Sequence, residues 1–226
     1  MLTNVTNRWQ AFAVHLLISA AIFLFLLSII VFIWYPGVFI HFGGYQGIVI
    51  VAGVDLVLGP LLTLVVFKRH KPSLKLDLSV IAGLQIIALG YGVWEIYNQR
   101  PIFQVFSHNY FYVVSHDELK DSKYEVDKTL VKDRRKPVFV ALHLPGDTET
   151  ALSIETATEL IDELPIKLRT DLYRPMPGYT PEYLDSTIEN SSSKDSNCIL
   201  MTVLSTHLAS KGCIDLDKGL LNLIEE

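Results

Sequence analysis

The residues with the sharpest chemical demands in this chain lie inside its apolar runs. Asp55 stands roughly 11 Å into the uncharged stretch Ile48 to Phe67, given a helical rise of about 1.5 Å per residue. A carboxyl at that depth is costly if charged and unpaired, so it must face protein, carry a proton, or both. Ala52, Asp55, Gly59 and Thr63 follow one another at three- or four-residue steps, which places them on one small, polar helix face. Pro60 has no amide hydrogen, frees the carbonyl of Leu56 and predicts a bend. The run Leu78 to Tyr97 carries a matching stripe of Gln85, Ala88, Gly92 and Glu95. Counting from the loop between the two runs sets Gln85 level with Pro60, and Gly90 to Gly92 level with Asp55. Gln85 is then placed to donate to the Leu56 carbonyl, and Tyr91 to donate to Asp55 if its ring turns toward the other helix. Two readings follow: a polar clasp that fixes helix packing, or a docking or proton-linked site at Asp55. An Asp55→Asn variant that accumulates normally but loses activity would exclude a clasp alone. His15, about one turn into the first apolar run, reads as an interfacial residue rather than a ligand.

Catalytic and metal-binding patterns are missing. There is no Gly-x-Ser-x-Gly, no His-Glu-x-x-His, no paired Cys-x-x-Cys and no phosphate loop, and His108, His116, His143 and His207 are scattered without ligand spacing. No enzymatic activity, metal or cofactor is expected. The two cysteines, Cys198 and Cys213, are expected to form a disulfide if their half of the chain lies outside the cytoplasm. Closing a loop of roughly 16 residues would add about 3 kcal/mol in the chain-entropy model. The alternative is two free buried thiols, which non-reducing electrophoresis after alkylation would reveal.

Three elements must position these residues. The stretch from Ile48 to Tyr97 is two apolar runs of about 20 residues around a short basic loop, each long enough for the roughly 30 Å hydrocarbon core of a bilayer. Ahead of them, Ala11 to Trp34 is an apolar run interrupted only by His15, Ser19 and Ser28. A signal peptide competes for that run, but its apolar core is about 7–15 residues and ends at small residues, whereas this one ends in Trp34-Tyr35-Pro36-Gly37. The expectation is three transmembrane helices, at about 11–34, 48–67 and 78–97, within a membrane domain of residues 1–100. The loop 68–77 holds Lys68, Arg69, Lys71 and Lys75 against Asp77 and is expected in the cytoplasm. Asp77 suits the start of the third helix as an N-cap. Trp34, Tyr35, Tyr45, Trp94 and Tyr97 form one aromatic belt and Trp9 marks the other face. Three crossings that start inside finish outside, so the N-terminus is cytoplasmic and the region after Arg100 periplasmic.

Charge divides the chain in the same place. Of 19 Lys/Arg and 24 Asp/Glu, six basic and three acidic residues fall in 1–100, a net of +3, and the other 13 and 21 leave 101–226 at −8. An acidic soluble half repels phosphate backbones, so nucleic acid is not an expected partner. Residues 101–226 predict a small periplasmic α+β domain on a mostly antiparallel sheet. Strands are expected at Ile102 to Phe106, Tyr110 to Ser115, Pro137 to Leu144 and Cys198 to Ser205. Helices are expected over Thr148 to Leu164, Pro181 to Glu189 and Asp217 to Ile224, with a proline-rich connector at Leu172 to Pro181.

The membrane half resembles the type IV pilin accessory proteins of Gram-negative bacteria, the TfpX/TfpZ group that includes proteins named FimB. The resemblance rests on Gly53-Val54-Asp55-Leu56-Val57-Leu58-Gly59-Pro60-Leu61-Leu62-Thr63, on Ser73-Leu74-Lys75-Leu76-Asp77-Leu78, on Gln85 through Gly92 (QIIALGYG), and on Arg100-Pro101 followed by Val105-Phe106. It covers about residues 10–115, and the chain departs from it at His108-Asn109-Tyr110-Phe111, where that family has Asp-Arg-Phe. It implies an inner-membrane protein that binds the cognate major pilin and assists its assembly. The expected docking surface is Asp55, Gly59, Pro60 and Thr63 on the second helix with Gln85, Ala88 and Gly92 on the third, touching the bilayer and, in a homo-oligomer, other copies. The runner-up is a small proton-coupled or transport-associated subunit using Asp55 and Glu95. A membrane enzyme modifying pilin or a lipid-linked glycan ranks below both, because no catalytic set is clustered.

Overall fold

The computed structural model describes residues 7–108, 110–131, 136–144, 149–150, 153–154, 156, 164–176, 178–184, 188, 199–215 and 220–224. The chain forms two compact units. The membrane unit holds Met1–Ile33 and Gly44–Tyr97, and the soluble unit holds Trp34–Gly43 and Asn98–Glu226. This departs from a single division near residue 100: the link between the first two helices belongs with the soluble half. Its aromatic residues, Tyr35, Phe39 and Phe42, are buried there, which a polar surface turn would not require.

The membrane unit is built from three helices long and apolar enough to cross a bilayer, α1 (Arg8–Trp34), α2 (Gly44–Val66) and α3 (Leu74–Asn98). At 27, 23 and 25 residues they extend about 40, 35 and 38 Å at 1.5 Å per residue. Asn7 caps α1, its side-chain oxygen accepting from the Trp9 amide at 3.4 Å. Ser28 and Ser79 return their hydroxyls to Leu24 and Lys75 carbonyls, each at 2.8 Å, so neither exposes a lone donor to lipid. α2 is not a uniform helix. Residues Gly53–Leu58 are π-helical, with the Gly59 amide donating to the Val54 carbonyl five residues back. The wide turn lies directly ahead of Pro60, where the sequence predicts a bend. The start of α3 differs from the expected Asp77 cap: the helix begins at Leu74, and Asp77 sits in its first turn, paired with Lys71 at 2.6 Å and accepting from Ser73 at 3.2 Å.

The soluble unit is a seven-stranded mixed sheet in the order β4-β3-β1-β2-β5-β6-β7. β1 (Pro101–Phe106) and β2 (Tyr110–Ser115) form an antiparallel hairpin at its centre. β3 (Val138–Leu142) runs parallel to β1, and β5 (Ile199–Leu204) runs parallel to β2. β4 (Tyr173–Pro175), β6 (Ala209–Asp215) and β7 (Leu220–Leu223) complete it by antiparallel pairing. Consecutive residues of β1 and β2 are buried, as in strands covered on both faces. Phe103, Phe106, Phe111 and Val114 fill this core, and Tyr183 spans it by donating to the Leu142 carbonyl at 2.8 Å and the Phe106 carbonyl at 3.3 Å.

The four expected strands are present, but the end of the chain differs. The segment Asp217 to Ile224, expected as a helix, supplies the edge strand β7. Leu221 is buried and Asn222 exposed, an alternation that strand pairing with β6 exploits and that eight residues cannot profitably use as a free-standing helix. The proline-rich connector contains the three-residue edge strand β4, where Pro175 costs no central ladder bond. Most of the expected helices Thr148 to Leu164 and Pro181 to Glu189, all of Asn190 to Asn197, and Cys198 lie outside the described residues.

Candidate functional site

The polar residues of the membrane unit are gathered at α2. Asp55 lies in the π-helical passage and is 4% exposed, and Thr63, two turns on, is 3% exposed. Gly59 and Pro60 between them are buried as well. On the neighbouring α1, His15 turns inward: its Nδ1 lies 2.6 Å from Thr63 Oγ1. His15 is therefore a tie between α1 and α2 rather than an interfacial residue. Its sequence signal was its depth, since counting from opposite ends sets it level with Thr63.

The stripe on α3 divides. Gln85 lies over Gly59, where a Cβ would come within 1.8 Å of the Gln85 Nε2 atom. Gly92 faces α2 as well, with 3.2 Å between a built Cβ and Val51 Cγ2, and Gly47 accommodates Ile96 so closely that a Cβ would lie 2.4 Å from Ile96 Cγ1. Three glycines thus let α2 and α3 approach, as small residues do in membrane helix contacts. Ala88, between Gln85 and Gly92 on the same stripe, is exposed. Tyr91 is also turned outward, 65% exposed, with its ring centroid 5.9 Å from that of Trp94, so it does not reach toward Asp55. Ile86 and Ile87, on the helix face that carries Gly83 and Gly90, are 70% and 71% exposed, and nothing lies within 4 Å of a Cβ built at either glycine. Of the predicted set, Asp55, Gly59, Pro60, Thr63, Gln85 and Gly92 are engaged within the chain, and Ala88, on the same stripe by helical spacing, is exposed.

The soluble unit holds its own charged centre. Glu118 and Lys167 form an ion pair, with side chains 16% and 19% exposed. Glu118 also accepts from the Ser115 amide at 2.8 Å while Ser115 Oγ accepts from the Glu118 amide at 3.2 Å, a reciprocal cap that the spacing Ser115-x-x-Glu118 encodes. Burial alone would raise the Glu118 pKa, but the Lys167 and Ser115 hydrogen bonds outweigh it and hold the carboxyl below the ordinary range. Burial pushes His108 and His116 below the ordinary imidazole range, and Arg100 and Lys120 lower His116 further. Among the described residues no group of three or more His, Cys, Asp or Glu is arranged to hold a metal. Cys213 lies on β6 opposite Leu200 and Asn222 and is not a free thiol, and its expected partner Cys198 is outside the described residues.

With this geometry in hand, the chain is similar to fimbrial assembly proteins of Dichelobacter nodosus. It is 33% identical over 131 residues to the protein of serogroup E1 and, likewise over 131 residues, to that of serogroup I, in each case 56% of this chain and 49% of the relative. It is 34% identical over 97 residues to the protein of serogroups C1 and C2, 41% of this chain and 73% of the relative. The chain thus spans about half the length of the first two relatives. No family model and no solved structure matches it. The coverage of the C1 and C2 protein places this chain in the fimbrial assembly protein family.

Proposed function

We propose that this protein is an inner-membrane accessory factor of type IV pilus biogenesis that binds the cognate major pilin in the bilayer and assists its assembly without catalysing a reaction. The supporting observation is the outer face of α3, where Gly83 and Gly90, two turns apart on one face with Ile86 and Ile87, leave backbone accessible and no described residue fills the space at either glycine. In lipid, helices associate through close packing rather than hydrophobic transfer, so a small-residue face beside Ile86 and Ile87 suits a single apolar partner helix. The inward set Asp55, Gly59, Pro60, Thr63, Gln85 and Gly92 acts behind that face, holding α2 against α1 and α3 so that the surface is presented in one shape. In this reading the N-terminus and the basic loop 68–77 are cytoplasmic and the soluble unit periplasmic. Membership of the link Trp34–Gly43 in the soluble unit supports the three crossings, which put both on one side, and the basic loop 68–77 is what assigns that side to the periplasm. A periplasmic Cys198–Cys213 bridge fits the same compartment.

The test is a photoreactive residue at Ile87, on the face shared by Gly83 and Gly90, in native membranes, followed by mass spectrometry of the adduct. Recovery of a major pilin is the expected result. Recovery of this chain alone, or of unrelated membrane components, with pilin present would overturn the reading. It would favour instead an oligomeric proton-coupled subunit in which the neighbouring His15 and Asp55 carry the function.

A further inference from the structure

We infer that the segment Trp34–Gly43 is a strap that completes the soluble unit, so that the β6–β7 edge of the sheet is held closed by the link between two membrane helices. The inference concerns the fold of the soluble unit and stands whether or not pilin is the partner. The segment lies between two membrane helices in sequence, yet it folds with residues more than 50 positions downstream. Tyr35 is fully buried and Phe42 is 2% exposed, with Phe39 buried beside it at 6.1 Å between ring centroids. Each such ring removes about 150–250 Å² from water, a large share of what a small sheet edge can bury. The 3₁₀ turn Gly37–His41 packs against β7. Phe42 walls a cavity of about 10 Å³ together with Gln99, Ser115, Glu118 and the β5–β6 turn residues Thr206 and His207. Gly43 fixes the end of the strap. Its φ is +110°, and a Cβ there would lie 2.9 Å from the His207 ring. Glycine is thus required both by the backbone conformation and by the approach of His207.

The edge that the strap covers is poorly held without it. Among the described residues β7, four residues long, pairs with β6 alone, so its outer edge is left for another element to cover. The opposite half of the sheet has its own support, with Tyr183 bonded to the ends of β1 and β3 and Tyr173 packed on Phe103 at 5.1 Å between centroids. Removing the strap should therefore open one edge and spare the other.

Hydrogen exchange read by mass spectrometry on the full chain in nanodiscs tests this. Two variants are compared with the unaltered protein. Phe39→Ala/Phe42→Ala strips the strap, and Gly43→Ala lifts it while keeping every other side chain. We expect exchange in β6 and β7 to rise at least 10-fold in the double variant and several-fold in Gly43→Ala, with β3 unchanged. Exchange in β6 and β7 within twofold of the unaltered protein, even with the strap itself exchanging freely, would overturn the inference. Should the double variant lose protection throughout, Gly43→Ala decides: faster exchange spreading into β6 and β7 supports the strap, and a change confined to residues 34–43 refutes it.

Discussion

The glycines of the membrane unit should respond to substitution with opposite signs. A Cβ at Gly47 would lie 2.4 Å from Ile96 Cγ1 and 2.8 Å from its Cδ1, so Gly47→Ala must push α2 and α3 apart or force Ile96 off its rotamer. Overpacking of this kind costs about 1–3 kcal/mol, and the better helix propensity of alanine returns up to about 1 kcal/mol. The balance is a loss of roughly 1–2 kcal/mol. At Gly83 and Gly90 a Cβ meets nothing within 4 Å, so only the propensity gain of about 0.5–1 kcal/mol remains. Unfolding of the purified protein by titrated denaturing detergent in mixed micelles reads these shifts directly. The larger pair Gly83→Leu/Gly90→Leu should leave the bundle as stable as before, yet reduce the pilin adduct formed from a probe at Ile87 at least tenfold, equivalent to about 1.4 kcal/mol of lost association. A neutral or stabilising Gly47→Ala would refute the close α2–α3 seam. An undiminished adduct from the leucine pair would refute docking on the outer face of α3.

Two further outcomes follow from the charged and polar ties. Lys167→Met leaves Glu118 without its cation in a mostly buried site; losing one partner of a fully buried pair costs about 3–5 kcal/mol, and partial exposure reduces this to about 2 kcal/mol. Because the folded Glu118 pKa lies below its unfolded value, its stabilisation is present above about pH 4.3 and is lost as pH falls through the folded value. Thermal unfolding between pH 7 and 3 should therefore show a shallower acid loss in Lys167→Met, and parallel profiles would contradict the assignment. His15→Ala and Thr63→Val each remove one bond within the membrane, worth about 0.6–2 kcal/mol, and the double variant should be little worse than the more damaging single one. Fully additive losses in detergent unfolding would show that the two side chains do not act together.

The three helices were legible because twenty-residue apolar runs have few alternatives, and the central strands because their β-branched and aromatic residues fit only a covered sheet. The polar stripes on α2 and α3 were legible as stripes, through helical spacing. What they pack against was not, because the same small residues serve an internal seam at Gly59 and an open face at Gly90. Position along the helix distinguishes these, and composition does not. β7 was misread as a helix because Leu220, Leu221 and Leu223 satisfy either period over so short a span, and pairing with β6 decided it. The link escaped notice for a related reason. Pro36, Gly37, Gly43 and Gly44 signal a turn, but the burial of Tyr35, Phe39 and Phe42 depends on strands that begin more than 150 residues later.

The π-helical passage Gly53–Leu58 sets the angular phase of α2. An α-helix advances about 100° per residue, and a wide turn absorbs one extra residue, so the two halves of α2 are offset by about 100° from an unbroken helix of the same length. Gly47 meets Ile96 ahead of this passage and Thr63 meets His15 beyond it, two appointments that one regular helix would not keep together. Deleting Val54 or Val57 would leave charge and hydropathy almost untouched, yet it would rotate the seam glycine toward lipid. In this helix the count of residues, and not only their kind, carries the information.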